Sequence, residues 1–224
     1  MSTPLTDKEM KTEFLNIVSE NIKRDGIENL VEYLNESDFF TAPASTRYHL
    51  SYIGGLLEHS LNVYYETVNK MIYYYGKDWQ KRYSLESVTI VSLFHDLCKI
   101  GRYKTSFKNV KNPITGNWYE QECFIYNDEY MNMGHGAKSI SIIMDYISLT
   151  EDEKSAIFWH MGPFDVGNYN TMTDCANCYR KNTLAFILHE ADMSATYIVE
   201  NENFQPIDLV ETVSESVEND EMKN

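Results

Sequence analysis

The stretch "VTIVSLFHDLCKI", Val88 to Ile100, constrains this chain more than any other. Seven mostly apolar residues run straight into a histidine and an aspartate, with a lysine three positions later. Such a run predicts a buried helix carrying His95 and Asp96, with Ser84 as its N-cap and Ser87 in place of the usual Glu. A buried carboxylate is costly unless a partner meets its charge. The fold must therefore bring something positive to Asp96.

The rest of the pattern is helical. "DKEMKTEFLNIVSENI" and "IENLVEYLNE" place apolar residues at three- and four-residue steps. "GGLLEHSLNVYYETVNKMIYYYG" reads as one long helix from the Gly54–Gly55 pair to Gly76. Helices are also expected at "GAKSISIIMDYIS", at "TEDEKSAIFWHM" and at "TLAFILHEADMSATYIVE", the second with a Thr150–Glu153 capping box. Between them, "RYKTSFKNV" and "WYEQECFIY" are aromatic and β-branched, and "KNPITGN" is turn chemistry, which predicts a hairpin at about 102–126. The expected fold is all-α with a small inserted β-hairpin: one domain over 1–205 and an acidic, partly disordered tail over 206–224. The segment from Pro206 to Asn224 holds six acidic residues and one lysine.

Charge narrows the partners. With 19 basic and 34 acidic residues the formal net charge is -15, which opposes a long duplex nucleic acid but leaves room for a local pocket that binds one small phosphate. No apolar run approaches the roughly 20 residues of a membrane span, and the N-terminus lacks a signal-type apolar stretch. A cytoplasmic soluble protein is the expectation. Cys175 and Cys178 form a lone CxxC with no second pair to complete a zinc site, and are read as loop cysteines without chemistry. Nothing in the sequence sets an oligomeric state.

Six histidines occur, and five stand on or at the edge of predicted helices. One histidine on an apolar helix face is ordinarily a satisfied core residue, and one His-Asp pair is a weak signal. The ordered set is not. "GGLLEHS" around His59, "LFHDLCK" around His95, "GHGAK" around His135, "FWHMG" around His160 and "HEADMSA" around Asp192 together resemble the HD-domain superfamily of metal-dependent phosphohydrolases. The resemblance spans about Tyr48 to Glu200. "YIGGLLEHS" is similar to the entry of the HD domain in bacterial 3′–5′ exoribonucleases, and "HDLCK" matches the frequent HDxxK.

The resemblance implies an HD-type helical bundle and a cofactor of one or two divalent transition metal ions (Mn, Fe, Co, Ni or Zn). It implies that His59, His95, Asp96 and Asp192 hold one ion, and that Asp96 bridges to a second completed by His135 and His160. Imidazoles mixed with carboxylates suit these metals. Lys99, one turn from Asp96, is placed to hold a substrate phosphate, with Arg102 and Lys138 as further candidates. Asp96 and Lys99 are the expected catalytic residues. His189 is given a core or supporting role beside Asp192, His49 the pocket mouth, and Glu58 a solvent-facing position. The implied activity is hydrolysis of a phosphate ester in a nucleotide or short oligonucleotide. The same ligand set also resembles the di-iron oxygenases of the superfamily, and a non-catalytic nucleotide-binding sensor is the remaining alternative.

Overall fold

The computed structural model describes residues 6–165 and 169–201. The acidic tail expected over 206–224 lies outside them. Eight α-helices and one two-stranded sheet occur among the described residues: α1 (Asp7–Asn21), α2 (Ile27–Glu36), α3 (Gly55–Tyr75), α4 (Leu85–Phe94), β1 (Tyr103–Lys111), β2 (Trp118–Tyr126), α5 (His135–Met144), α6 (Glu151–Phe158), α7 (Tyr169–Lys181) and α8 (Thr183–Ser194). No helix among them is long and apolar enough to cross a membrane.

Helix α3 is the axis. It packs against α8, α4 and α1, while α6 packs against both α8 and α5. Every residue of α4 from Val88 to Phe94 is buried, as the apolar run requires. Phe14 of α1 anchors the near side, its ring 5.2 Å from that of Phe39 and 6.1 Å from that of Phe94. Fully burying each such side chain contributes about 1.5–3 kcal/mol. The glycine pair before α3 is needed on steric grounds: Gly54 is left-handed with φ 85°, and a Cβ on Gly55 would stand 2.1 Å from the carbonyl oxygen of Leu50.

The caps follow the sequence. Ser84 accepts from the Ser87 N–H at 3.0 Å, and Thr150 and Glu153 form the expected capping box on α6. The hairpin is antiparallel, in register from Tyr103–Tyr126 to Lys111–Trp118. Its turn is held by Asn112, whose side-chain oxygen accepts from Ile114 and Thr115 N–H groups. Its base is tied down where Asn127 N–H donates to Arg102 O and Gly101 N–H to Asp38 Oδ1.

Three expectations are corrected. Helix α4 stops at Phe94, so Asp96 (φ -110°, ψ 21°) lies off the helix, in the break before the 3-10 turn Leu97–Lys99. The last helix is interrupted, with α8 passing into a π-helical segment, Ala195–Val199. Cys175 and Cys178 are not loop residues; they lie one turn apart on α7, a helix hidden by its polar, Asn- and Thr-rich sequence. Cys175 is buried, and burial pushes both thiols up, against the thiolate form that redox or metal chemistry needs.

One ion pair fastens the start of α6 to the α1–α2 connection. Arg24 donates to both oxygens of Glu153, at 2.7 and 3.0 Å, and also to Ser148 O. Glu153 is fully buried. Burial alone would raise its carboxyl, but the Arg24 guanidinium and the Thr150 N–H outweigh it and hold the group below its ordinary 4.5. Such a carboxylate stabilises the fold at pH above its unfolded value, and the contribution is lost as pH falls through the folded value. Glu153→Ala is expected to cost about 3–5 kcal/mol, the usual loss when one partner of a buried pair is removed. Urea denaturation at pH 7 measures it, and the gap between wild type and variant should narrow as the titration is repeated below pH 4.5.

Candidate metal centre

Asp96 is the hub of a buried cluster, with 3% of its surface exposed. The break after α4 points its carboxylate inward, where three histidines from three places meet it. His59 Nε2, from α3, lies 3.5 Å from Oδ2; His95 Nε2 lies 3.4 Å from Oδ2; and His160 Nε2, two residues past the end of α6, lies 3.6 Å from Oδ1. Asp192 of α8 approaches His59 Nε2 at 3.2 Å. Sets of ligand atoms from His59, His95 and Asp96, and from His95, His160 and Asp192, are each mutually close enough for one ion. All these N···O separations are shorter than the roughly 4.2 Å that two ligands about 2.1 Å from one ion can span.

The hydrogen bonds decide which way the imidazoles face. His95 Nδ1 lies 2.8 Å from the carbonyl oxygen of Ser92, and His160 Nδ1 lies 2.6 Å from that of Ile157. A carbonyl only accepts, so each Nδ1 carries its hydrogen. In the neutral ring, Nε2 is then a lone pair. Both Nε2 atoms are buried, have no hydrogen-bond partner and face a carboxylate that also only accepts. Lone pairs aimed at lone pairs in a buried space call for a cation between them, either protons on the rings or a metal ion. The donor set of neutral imidazole nitrogen and carboxylate oxygen fits a divalent transition metal.

Charge at the site follows the same logic. Burial works against the Asp96 carboxylate, yet Lys99 and the surrounding histidines hold it well below the usual carboxylate range. Lys99 Nζ is 2.6 Å from Oδ2. His59 is pushed up to about 10, because Glu200 and Asp192 outweigh the opposing effect of burial. His160 is raised as well, burial being overcome by Asp96.

Five of the six sequence-derived ligands therefore converge: His59, His95, Asp96, His160 and Asp192. The sixth, His135, opens α5 half-buried and belongs to none of the potential ligand groups among the described residues. Lys99 is buried against Asp96. Arg102 is also buried, its guanidinium 5.6 and 5.7 Å from the Tyr126 and Tyr130 rings, and its Nε and Nη1 have no hydrogen-bond partner. Lys138 also approaches Tyr130, its Nζ 5.9 Å from the ring centroid. His189 supports rather than joins the centre: its Nδ1 meets His160 O at 2.6 Å, and its ring stacks on Tyr179. Glu58 is bound by the Tyr52 hydroxyl at 2.6 Å. The grooves lined by Leu15, Arg24 and Val31, or by Thr12 and Ile17, hold none of these residues.

Sequence reasoning missed Glu200. Its carboxylate is fully buried, 2.9 Å from His59 Nδ1 and 4.0 Å from His49 Nε2. His49, half-buried, is lowered to about 4 by burial and by the charges of His59 and Lys99.

No protein-family model, curated protein or solved structure matches this chain. Asp96→Ala is expected to abolish tight binding of zinc or manganese while far-UV circular dichroism stays helical. His160→Ala should weaken it by more than the roughly 10–100-fold that loss of an outer-shell partner costs. Metal content after gel filtration and a competition titration measure both.

Proposed function

We propose that this chain is an HD-type, metal-dependent phosphohydrolase acting on a phosphate ester of a nucleotide or short oligonucleotide. One observation carries the reading: buried imidazole lone pairs converge on Asp96, which the buried Lys99 meets at 2.6 Å, with a second buried cation, Arg102, three residues further along the chain. The first group suits a divalent cation and the second an anion, and a phosphoryl centre needs both.

An ion on His59, His95, Asp96 and Asp192 would supply Lewis acidity toward a phosphoryl oxygen and a bound water acidified toward neutral pH. Asp96 has its second oxygen turned to His160, so it is the residue able to bridge to a second ion, for which His135 is the remaining proposed ligand. Lys99 neutralises charge on the phosphoryl group as it is transferred. Arg102, with two nitrogens free of protein acceptors, is suited to a second phosphate oxygen, and Lys138 adds positive potential from α5. The ligands themselves are buried, His59, His95, Asp96 and His160 each 3% exposed or less, and in such surroundings fixed charges act more strongly than in solvent. A net charge of -15 favours small substrates over long duplexes.

The test sets hydrolysis against oxygen chemistry. Metal-loaded protein is screened on nucleotides and phosphodiesters with and without oxygen. We expect phosphate release at equal rates in both atmospheres. Lys99→Ala should keep its metal and lose about a hundredfold or more in kcat, as electrostatic stabilisers of a transition state commonly contribute. Turnover that stops without oxygen, in protein carrying iron, would favour the oxygenase reading. Nucleotide binding with no turnover would favour the sensor.

A further inference from the structure

We propose that Glu200 is a positioning residue that selects the metal-ligating tautomer of His59, an inference that rests on the metal reading above. The argument begins with where each histidine sits on its helix. His95 caps α4 and His160 lies just past α6, where the last carbonyls of a helix have no intrahelical partner. Each ring borrows one of them, three residues back, to hold its Nδ1 hydrogen. His59 has no such option. It is the fifth residue of the 21-residue helix α3, where the carbonyls behind it are engaged by the helix itself.

Glu200 supplies the missing acceptor. Its Oε1 is 2.9 Å from His59 Nδ1 and also accepts from Asn62 Nδ2 at 3.1 Å, so two donors of α3 fix one carboxylate oxygen. With the hydrogen held on Nδ1, the lone pair of neutral His59 is on Nε2, the atom that faces Asp96 Oδ2 at 3.5 Å and Asp192 Oδ1 at 3.2 Å. Without Glu200, the ring is 1% exposed with no acceptor at Nδ1. The other tautomer would then be preferred, its Nε2 hydrogen bonded to Asp192 and its lone pair turned away from the centre.

The backbone is shaped for this contact. Continued as an α-helix from Asp192, Glu200 would be rotated by about 80° from it, eight residues at about 100° each. The intervening π segment, Ala195–Val199, turns less per residue and brings Glu200 back to the α3 side, where the Glu200 N–H donates to Ala195 O. Asp192 and Glu200 thus grip the two nitrogens of one imidazole from a single stretch of chain.

His49, Glu200 and His59 Nδ1 also lie close enough for a cation of their own. That use would require His59 to give a lone pair from both nitrogens, as an imidazolate, which a neutral ring does not do. It is the rival outcome of the test.

The experiment uses the full chain and zinc. Glu200→Ala should lower zinc affinity about 10–100-fold and abolish the downfield, slowly exchanging Nδ1 proton signal of His59 in the zinc-loaded protein. Glu200→Gln keeps an acceptor oxygen and should restore both, which a generic loss of packing would not. His49→Ala should leave zinc affinity and stoichiometry unchanged. Zinc binding insensitive to Glu200→Ala, or a His59 Nδ1 proton that survives it, overturns the proposal. So does the loss of one whole zinc ion in Glu200→Ala, Glu200→Gln and His49→Ala alike, which would make the trio a cation site. Wild-type protein that takes up no zinc, manganese or iron sinks the metal reading and this inference with it; zinc uptake that depends on Asp96 but not on Glu200 sinks only the inference.

Discussion

A carboxylate stands at the centre of an apolar bundle, and the arrangement around it follows from meeting that charge. Helix α4 delivers Asp96 from a run in which every side chain is buried, so solvent cannot screen it. Lys99 answers from one turn away and the histidines from three directions. Because these neighbours are what keeps the carboxylate ionised, the cluster is interdependent, and it ties α3, the α4 break and the end of α6 to one point.

Helix ends provide the means. A histidine inside a helix points its ring away from backbone acceptors, whereas one at a C-terminus finds free carbonyls within reach. The early stop of α4 serves this purpose twice, releasing Ser92 O for His95 and turning Asp96 inward. The turn that follows is fastened on both faces: Cys98 N–H donates to Ser139 Oγ of α5, and the Tyr130 hydroxyl donates to Cys98 O. The base of the hairpin and the head of α5 are thereby built onto the same short segment that presents Lys99 and Arg102.

Much of this was legible beforehand. The three- and four-residue apolar steps marked α1 to α3, Ser84 and Thr150 marked helix starts, and alternating aromatic and β-branched residues around a Pro-Gly turn marked the hairpin. The site was legible through residue type, because histidines and aspartates on apolar runs are hard to satisfy otherwise. What escaped was local geometry set by tertiary contacts. No Gly or Pro announces the end of α4 at Phe94, and the π segment after Ser194 lies within a sequence that reads as continuous helix. Glu200 was hidden for that reason, since its face depends on the interruption. Helix α7 lacked a clear apolar stripe, its buried contacts coming from Cys175, Cys178 and Tyr179 rather than from aliphatic residues.

The charge distribution reconciles an acidic chain with the anionic substrate proposed for it. Surface carboxylates act through water and salt, and their field fades within about 8–10 Å at physiological ionic strength. Lys99 and Arg102 are 7% and 8% exposed and act where screening is weak. Lys99 has its countercharge in Asp96, at 2.6 Å. Arg102 has the rings of Tyr126 and Tyr130 near its guanidinium and no acceptor at Nε or Nη1. A guanidinium buried in that state carries an unmet demand for an oxygen acceptor, and a buried donor left unpaired costs about 1–3 kcal/mol. The small phosphorylated ligand proposed for this site would meet that demand at short range, while the acidic exterior would oppose long polyanions that had to lie across it.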